Sequence, residues 1–214
     1  QNLQLLIIYS LVPLQTFSVC CWEMKKLLIK AMMKIISRRK NKTQLVKITD
    51  DTFTDAEYKR IISHMNKNVE LSPTPLRNDS WPKELIDGVG GYTNTHPVSD
   101  PSLVKLLADK CISTIGSSNN YEDYLVMYYE GEGEFALNWH TDRAYSSSAS
   151  FYLNDNWNDN YGGYFVFRMD GDKLTTAIRP DLGMAVFQKG KIIHAVTATR
   201  HDAPKRKSLQ VFIR

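Results

Sequence analysis

The sequence predicts a mainly β domain with flanking helices, a two-sheet jelly roll supported by two N-terminal helices. Three observations carry this. After Tyr124 the helical period disappears and eight short strand-like runs follow in roughly 90 residues, separated by Gly, Asn and Asp turns. Two capped amphipathic segments precede them and are placed to cover the outer face of one sheet. The 214 residues, 43% hydrophobic, suffice for one sizeable core.

Taken in order, residues 1–42 form an arm and 43–214 a domain. The first 22 residues, "QNLQLLIIYSLVPLQTFSVCCW", carry no charge. Their length suits a membrane span or signal anchor. Pro13, the scattered Gln and Ser, and the lack of a basic n-region or small-residue cleavage site favour instead a fragment or an upstream translation, with a natural start at Met24. From Met24, "MKKLLIKAMMKIISRRKNK" sets Leu27, Leu28, Ala31, Met32, Ile35 and Ile36 against lysines, an amphipathic basic helix. It could lie on an anionic membrane, act as a targeting peptide or extend the fold as a solvated helix. Cytoplasmic and membrane-associated locations both fit.

Charge separates arm from domain. Residues 1–47 hold nine Lys/Arg against Glu23 alone, whereas the remainder holds 18 Lys/Arg and 22 Asp/Glu. The domain is therefore slightly acidic, and no nucleic-acid partner is expected. Cys20, Cys21 and Cys111 offer neither a metal spacing nor an even disulfide framework, which fits a reducing compartment.

"TQLVKITD" (43–50) alternates as a strand. "FTDAEYKRIISHMN" follows as a helix, with a capping box over Thr54–Glu57 and Tyr58, Ile61, Ile62 and Met65 at helical spacing. Residues 71–100 read as one long Pro/Gly/Asn/Asp-rich loop, expected to bear the substrate. "DPSLVKLLADKCISTIG" opens a second helix with Asp100 as cap and Pro101 at its first position. The eight runs are then "YLVMYYE", "FALNWH", "SSASFYLN", "GYFVFRM", "LTTAIRP", "MAVFQK", "KIIHAVT" and "KSLQVFIR".

Chemistry concentrates in the runs around "NWHTD" and "KIIHAVT". Of five histidines, His64 falls in a helix, and His96 and His201 in Pro/Asp-rich stretches; His194 alone sits on a late strand. If two strands face each other across the mouth of the roll, His140, Asp142 and His194 converge as two imidazoles and one carboxylate. That set leaves positions open on non-haem Fe(II). Spacing alone leaves open the plain alternative of polar residues closing a strand.

The surrounding residues settle on a family. Over about residues 120–214, "YYEGEGEFALNWHTD", "FYLN", "GGYFVF", "RPDLGMAVFQKGKIIHAV" and "RKSLQVFI" occur in the order seen in the 2-oxoglutarate- and Fe(II)-dependent dioxygenases, and the chain resembles their prolyl 4-hydroxylase-like branch. The resemblance implies a double-stranded β-helix and a metal set of His140, Asp142 and His194. It matches Tyr129 to a family tyrosine, with Tyr128 as register rival, and Gly162–Gly163, Pro180, Gly183 and Phe187 to family positions. It also implies Fe(II), 2-oxoglutarate and O2, with ascorbate as an auxiliary reductant. Arg206 with Ser208 looks like the clamp for the distal carboxylate of 2-oxoglutarate, Tyr152 like its supporting hydroxyl, and Lys205 stays open as a rival to Arg206.

Physical chemistry runs parallel to this. A carboxylate in a narrow apolar barrel needs a cation that stays charged when buried, and guanidinium does so with bidentate geometry. Period-two alternation puts Arg206, Ser208, Gln210 and Phe212 on one face, and Lys207, Leu209, Val211 and Ile213 on the other. The expected activity is hydroxylation of a prolyl residue in a peptide or protein, rather than halogenation, because Asp142 fills the ligand position a halide would need. The arm adds a possible membrane contact. An AlkB-like nucleic-acid demethylase, a small-molecule hydroxylase and a non-catalytic cupin-like metal module are the alternatives.

Overall fold

The computed structural model describes residues 44–68, 73–75, 81–116 and 124–214. The arm and its expected helix lie outside the described residues. Strand β1 (Leu45–Thr49) leads into helix α1 (Asp55–Asn68), followed by β2 (Pro73–Pro75), the short α2 (Lys83–Ile86), β3 (Tyr92–Pro97) and α3 (Pro101–Ile115). The β region then runs β4 (Tyr124–Glu132), β5 (Leu137–His140), β6 (Ser147–Tyr152), β7 (Phe165–Arg168), β8 (Thr176–Ile178), β9 (Ala185–Lys189), β10 (Ile193–Val196) and β11 (Arg206–Ile213). All eight expected late strands are present.

Local chemistry fixes both long helices. Glu57 accepts from Thr54 N at 2.8 Å, and Thr54 Oγ1 accepts from Glu57 N at 3.3 Å, closing the expected capping box. Asp100 caps α3 by accepting from Ser102 N and Leu103 N. Gly116 ends it at φ 64°, the left-handed conformation that glycine adopts most cheaply.

The strands form two antiparallel sheets, ordered β1-β9-β6-β11-β4-β3-β2 and β5-β10-β7-β8. From β4 onward the chain passes back and forth between them, as a jelly roll requires. Alternation along β11 is realised in full: Leu209, Val211 and Ile213 join Phe151, Phe187 and the α1 and α3 side chains Ile61, Leu103 and Leu107 in the main core. Each such fully buried aliphatic side chain contributes roughly 1.5–3 kcal/mol. The opposite face looks between the sheets, where Tyr152, Phe165, Phe167, Ile178, Val186 and Ile192 form a second cluster.

The stretch 71–100 is not one long loop. Its strand β3 pairs with β4 in register Thr93↔Gly131 and Thr95↔Tyr129, and β2 pairs with β3. "YTNTHP" escaped the pattern because its pairing is main-chain hydrogen bonding, without an apolar alternation to announce it. His96 accordingly lies on a strand. The helix α2 is tied to β5, since Asn138 Nδ2 donates to the carbonyls of Glu84 and Asp87 at 3.1 and 2.9 Å.

Candidate metal centre and anion pocket

His140 ends β5 and His194 is the second residue of β10. The two strands do not face each other across the mouth, as the sequence suggested; they are neighbours in the four-stranded sheet, with His194 paired directly to His140. Adjacent pairing brings the two imidazoles to 4.2 Å between ring centroids, tilted 57° to one another. Asp142, in the turn just past β5, brings Oδ1 to 3.8 Å from His140 Nε2 and Oδ2 to 3.7 Å from His194 Nε2. All three donor atoms lie within 4.8 Å of one another, so this set could hold one metal ion.

The rings are held ready. His140 Nδ1 is 2.7 Å from the Asn138 carbonyl, and His194 Nδ1 is 3.0 Å from the Ile192 carbonyl. A carbonyl only accepts, so Nδ1 carries the proton in both rings and Nε2 offers its lone pair toward Asp142. Burial, with the neighbouring His194, holds the His140 ring below the ordinary imidazole range. A neutral ring is the ligand form. Ser148 Oγ donates to Asp142 Oδ2 at 3.4 Å. Two imidazoles and a carboxylate are a donor set that fits a divalent iron and leaves positions open on it.

Tyr129, rather than Tyr128, faces this set. Its phenol is pushed up by burial and by the charge of Asp142. Tyr128 turns to the helix side, where its hydroxyl meets Glu130 Oε1 at 3.3 Å. The two cations separate in the same way. Lys205 is 44% exposed and pairs with Glu130 at 3.1 Å and Glu132 at 3.3 Å. Arg206 is 3% exposed, points between the sheets and has no carboxylate partner among the described residues.

The seat of Arg206 is built from residues that the sequence did not connect to it. Its Nε–H donates to the Gly163 carbonyl at 2.7 Å, which leaves the Nη edge for another acceptor. Tyr152 and Phe135 flank the guanidinium, with ring centroids 5.1 and 6.0 Å from Cζ. Thr199 pins the Phe135 turn, its N–H donating to the Phe135 carbonyl at 2.9 Å. Gly162 and Gly163 allow this closeness: both have φ of +70°, and a Cβ on Gly162 would sit 2.1 Å from the Ala198 oxygen. The doubled glycine was the available signal; its acceptor role was not readable.

Burial pulls the Arg206 guanidinium down from its ordinary value, partly offset by Tyr152. The buried Tyr152 hydroxyl has no partner at good hydrogen-bond geometry, with Arg206 and the Ser150 hydroxyl as its polar neighbours, and burial pushes its phenol up. A buried cation without a counter-charge and an orphaned hydroxyl beside it define a pocket suited to an anion. Ser208, 1% exposed and paired with Tyr152 across β6 and β11, stands on the same wall. A 2-oxoglutarate distal carboxylate fits these groups.

Arg200 lies apart, exposed and paired with Asp202 at 2.6 Å, and Arg143 is exposed in the turn after Asp142. Nothing in the fold gives Arg143 a role. Among the described residues no helix is long and apolar enough to cross a membrane.

Comparison with known proteins agrees with this geometry. Residues 124–214 match the family model of the 2OG-Fe(II) oxygenase superfamily. No curated protein matches the sequence. Among solved structures the chain is similar to a Pseudomonas putida prolyl-4-hydroxylase, with TM-score 0.61 and 16% identity over 79% of this chain and 91% of that one. It is also similar to a Trichoplax adhaerens prolyl hydroxylase in complex with a hypoxia inducible factor peptide fragment (TM-score 0.59, 14% identity, 92% and 94% covered). A third is HygX from Streptomyces hygroscopicus with nickel and 2-oxoglutarate bound (TM-score 0.53, 11% identity, 79% and 82% covered). At these identities the likeness speaks for the fold. The matched residues 124–214 include His140, Asp142 and His194 as well as Arg206, Tyr152 and Ser208, and over this part the chain is similar to the 2OG-Fe(II) oxygenase superfamily.

Proposed function

We propose that residues 43–214 form a non-haem Fe(II) dioxygenase that couples oxidative decarboxylation of 2-oxoglutarate to hydroxylation of a prolyl residue in a peptide or protein. The observation that carries the co-substrate reading is Arg206, a buried guanidinium without a carboxylate partner among the described residues, which points from the seven-stranded sheet into the space between the sheets, the four-stranded one of which carries His140 and His194. Bound Fe(II) with 2-oxoglutarate and O2 supplies the oxidising chemistry, in which one oxygen atom goes to succinate and the other to a substrate C–H bond, with release of CO2.

The chain's own residues do the rest. His140, Asp142 and His194 would hold the metal, and their main-chain hydrogen bonds fix the rings before metal arrives. Arg206, Tyr152 and Ser208 would hold the distal carboxylate, orienting the co-substrate and excluding water from that end. Tyr129 borders the metal side of the same cavity. Beyond Asp142, Tyr145 and Phe212 lie 4.7 Å apart between ring centroids, with the Arg214 guanidinium 5.9 Å from the Tyr145 ring, an aromatic surface that suits an uncharged ring such as pyrrolidine. The likeness to two prolyl hydroxylases, one carrying a peptide, supports the same substrate class. The slightly acidic domain gives no electrostatic support to a nucleic-acid substrate.

The test is succinate release by the Fe(II)-loaded protein against proline-rich peptides and methylated oligonucleotides in parallel. The expected result is succinate in step with hydroxyproline on a peptide. Absence of 2-oxoglutarate turnover with every peptide, with every oligonucleotide and without substrate would overturn the enzyme reading; turnover only with oligonucleotides would overturn the prolyl one.

A further inference from the structure

A directed chain of polar groups runs along the inner face of the seven-stranded sheet. The Ser150 hydroxyl donates to Gln210 Oε1 at 2.7 Å, and Gln210 Nε2 donates to Ser208 Oγ at 3.2 Å. The cross-strand pair Ser150↔Gln210 puts the first two side by side, and β-alternation puts Ser208 on the same face. The neighbours of this pair are Val186 on β9 and Met127 on β4, both apolar. Packing alone would accept an apolar side chain at 210, so the amide needs a reason.

Its direction supplies one. An amide has a donor end and an acceptor end, and a hydroxyl has a single proton. Because Gln210 gives its N–H to Ser208, the Ser208 oxygen is used as an acceptor and its proton must go elsewhere. Among the described residues Ser208 has no acceptor for that proton. The Arg206 Nη edge and the Tyr152 hydroxyl look for acceptors on the same wall. Reversing the amide would make Ser208 donate to Gln210 and turn its lone pairs toward the anion.

We propose that Gln210, held by Ser150, is a positioning residue that sets the Ser208 hydroxyl as a donor, so that the pocket selects a charged acceptor end of the co-substrate over a neutral end that carries N–H groups. The inference rests on the reading of Arg206, Tyr152 and Ser208 as the carboxylate site. Gln210 itself does not touch the carboxylate. Its role is to set the polarity of a neighbour that does.

The experiment is calorimetric titration of the Ni(II)-loaded protein, which does not turn over, with 2-oxoglutarate and with the analogue whose distal carboxylate is an amide. Gln210→Met is expected to raise the Kd for 2-oxoglutarate about five-fold while moving that of the amide analogue less than about two-fold. In a Ser208→Ala background the effect of Gln210→Met should vanish. Ser150→Ala, more remote and milder for the fold, should shift the ratio of the two affinities in the same direction. Equal weakening of both ligands, or an effect that persists without the Ser208 hydroxyl, overturns the role of Gln210. Arg206→Met in the same titration separates the two levels: unchanged 2-oxoglutarate binding there sinks the carboxylate-site reading and this inference with it. A large loss in Arg206→Met beside no selective loss in Gln210→Met sinks only the latter.

Discussion

Arg206 donates from Nε to the Gly163 carbonyl, and Gly163 has room for no side chain beneath it: a Cβ there would stand 3.2 Å from Arg206 Cδ and 2.8 Å from Thr199 Cγ2. The backbone of one strand entry thus aims the only buried cation of the inner wall among the described residues. The aim matters because, with Nε spent on the Gly163 carbonyl, the paired Nη groups are left to bind a carboxylate in a bidentate way.

Gly163→Ala should therefore act on the co-substrate more than on the metal. The left-handed conformation adds roughly 1–2 kcal/mol of destabilisation for any residue with a Cβ, and the displaced Arg206 should raise the KM for 2-oxoglutarate with Ni(II) affinity unchanged. Steady-state kinetics beside metal titration checks this. Loss of metal binding in step with 2-oxoglutarate affinity would show that the seat is not specific to Arg206.

Removing the guanidinium outright should be more severe. Arg206→Ala is expected to weaken 2-oxoglutarate on the order of 100-fold, since the ligand's buried charge loses its partner, and Arg206→Lys should restore only part of it. Lys205→Ala should do little, because Lys205 serves Glu130 and Glu132 on the outer side. Comparable losses in the two alanine variants would reverse the assignment.

Metal should stabilise the fold by mass action. At a free Ni(II) or Fe(II) concentration about 100 times the Kd, the protein gains about 2.7 kcal/mol, provided the unfolded chain does not bind. Chelator should remove that gain, and Asp142→Ala should abolish it. Thermal melts with and without metal are the measurement; an undiminished metal-dependent rise in Asp142→Ala would place the ion elsewhere.

Asp100 gives a pH-dependent prediction away from the site. Its hydrogen bond from the Ser102 hydroxyl, then those from the Leu103 and Ser102 amides and the charge of Arg60, hold its carboxyl down at about 2. A depressed carboxylate contributes stability above its unfolded value, and that contribution disappears as pH falls through the folded one. The melting temperature of Asp100→Ala should lie below that of the parent at neutral pH, and the gap should close between about pH 4 and pH 2. A gap that is constant across this range would contradict the cap's charge dependence.

Cys111 should be inert in the folded protein. It is wholly buried in the main core, and that burial pushes its thiol up to about 12. Little thiolate exists there at about pH 8, so iodoacetamide should label Cys111 only as fast as the domain opens. Peptide mapping before and after urea unfolding reads this directly.

Much of the framework was legible in residue order. The eight late strands, the two capped helices and the faces of β11 follow from alternation and capping chemistry, which act within a few residues. The edge strands β2 and β3 were not legible: Tyr92–Pro97 pairs through its backbone and shows no apolar period. The Gly-Gly pair was visible, but a carbonyl's partner 43 positions away was not. The Ser150–Gln210 bond spans 60 positions and depends on strand register, which no local pattern sets.

By itself the sequence determined that His140 and Asp142 lie at the end of a strand, that His194 lies on a later one, and that Arg206, Ser208 and Gln210 share a face. These are consequences of period two. Only the tertiary structure decided that β5 and β10 are direct neighbours, that Tyr129 rather than Tyr128 looks at the metal set, and that Lys205 is bound outside by Glu130 and Glu132. Each of those choices turns on which surface a strand face meets, and that is fixed when two sheets and a helical layer close on one another and divide the side chains among core, cavity and water.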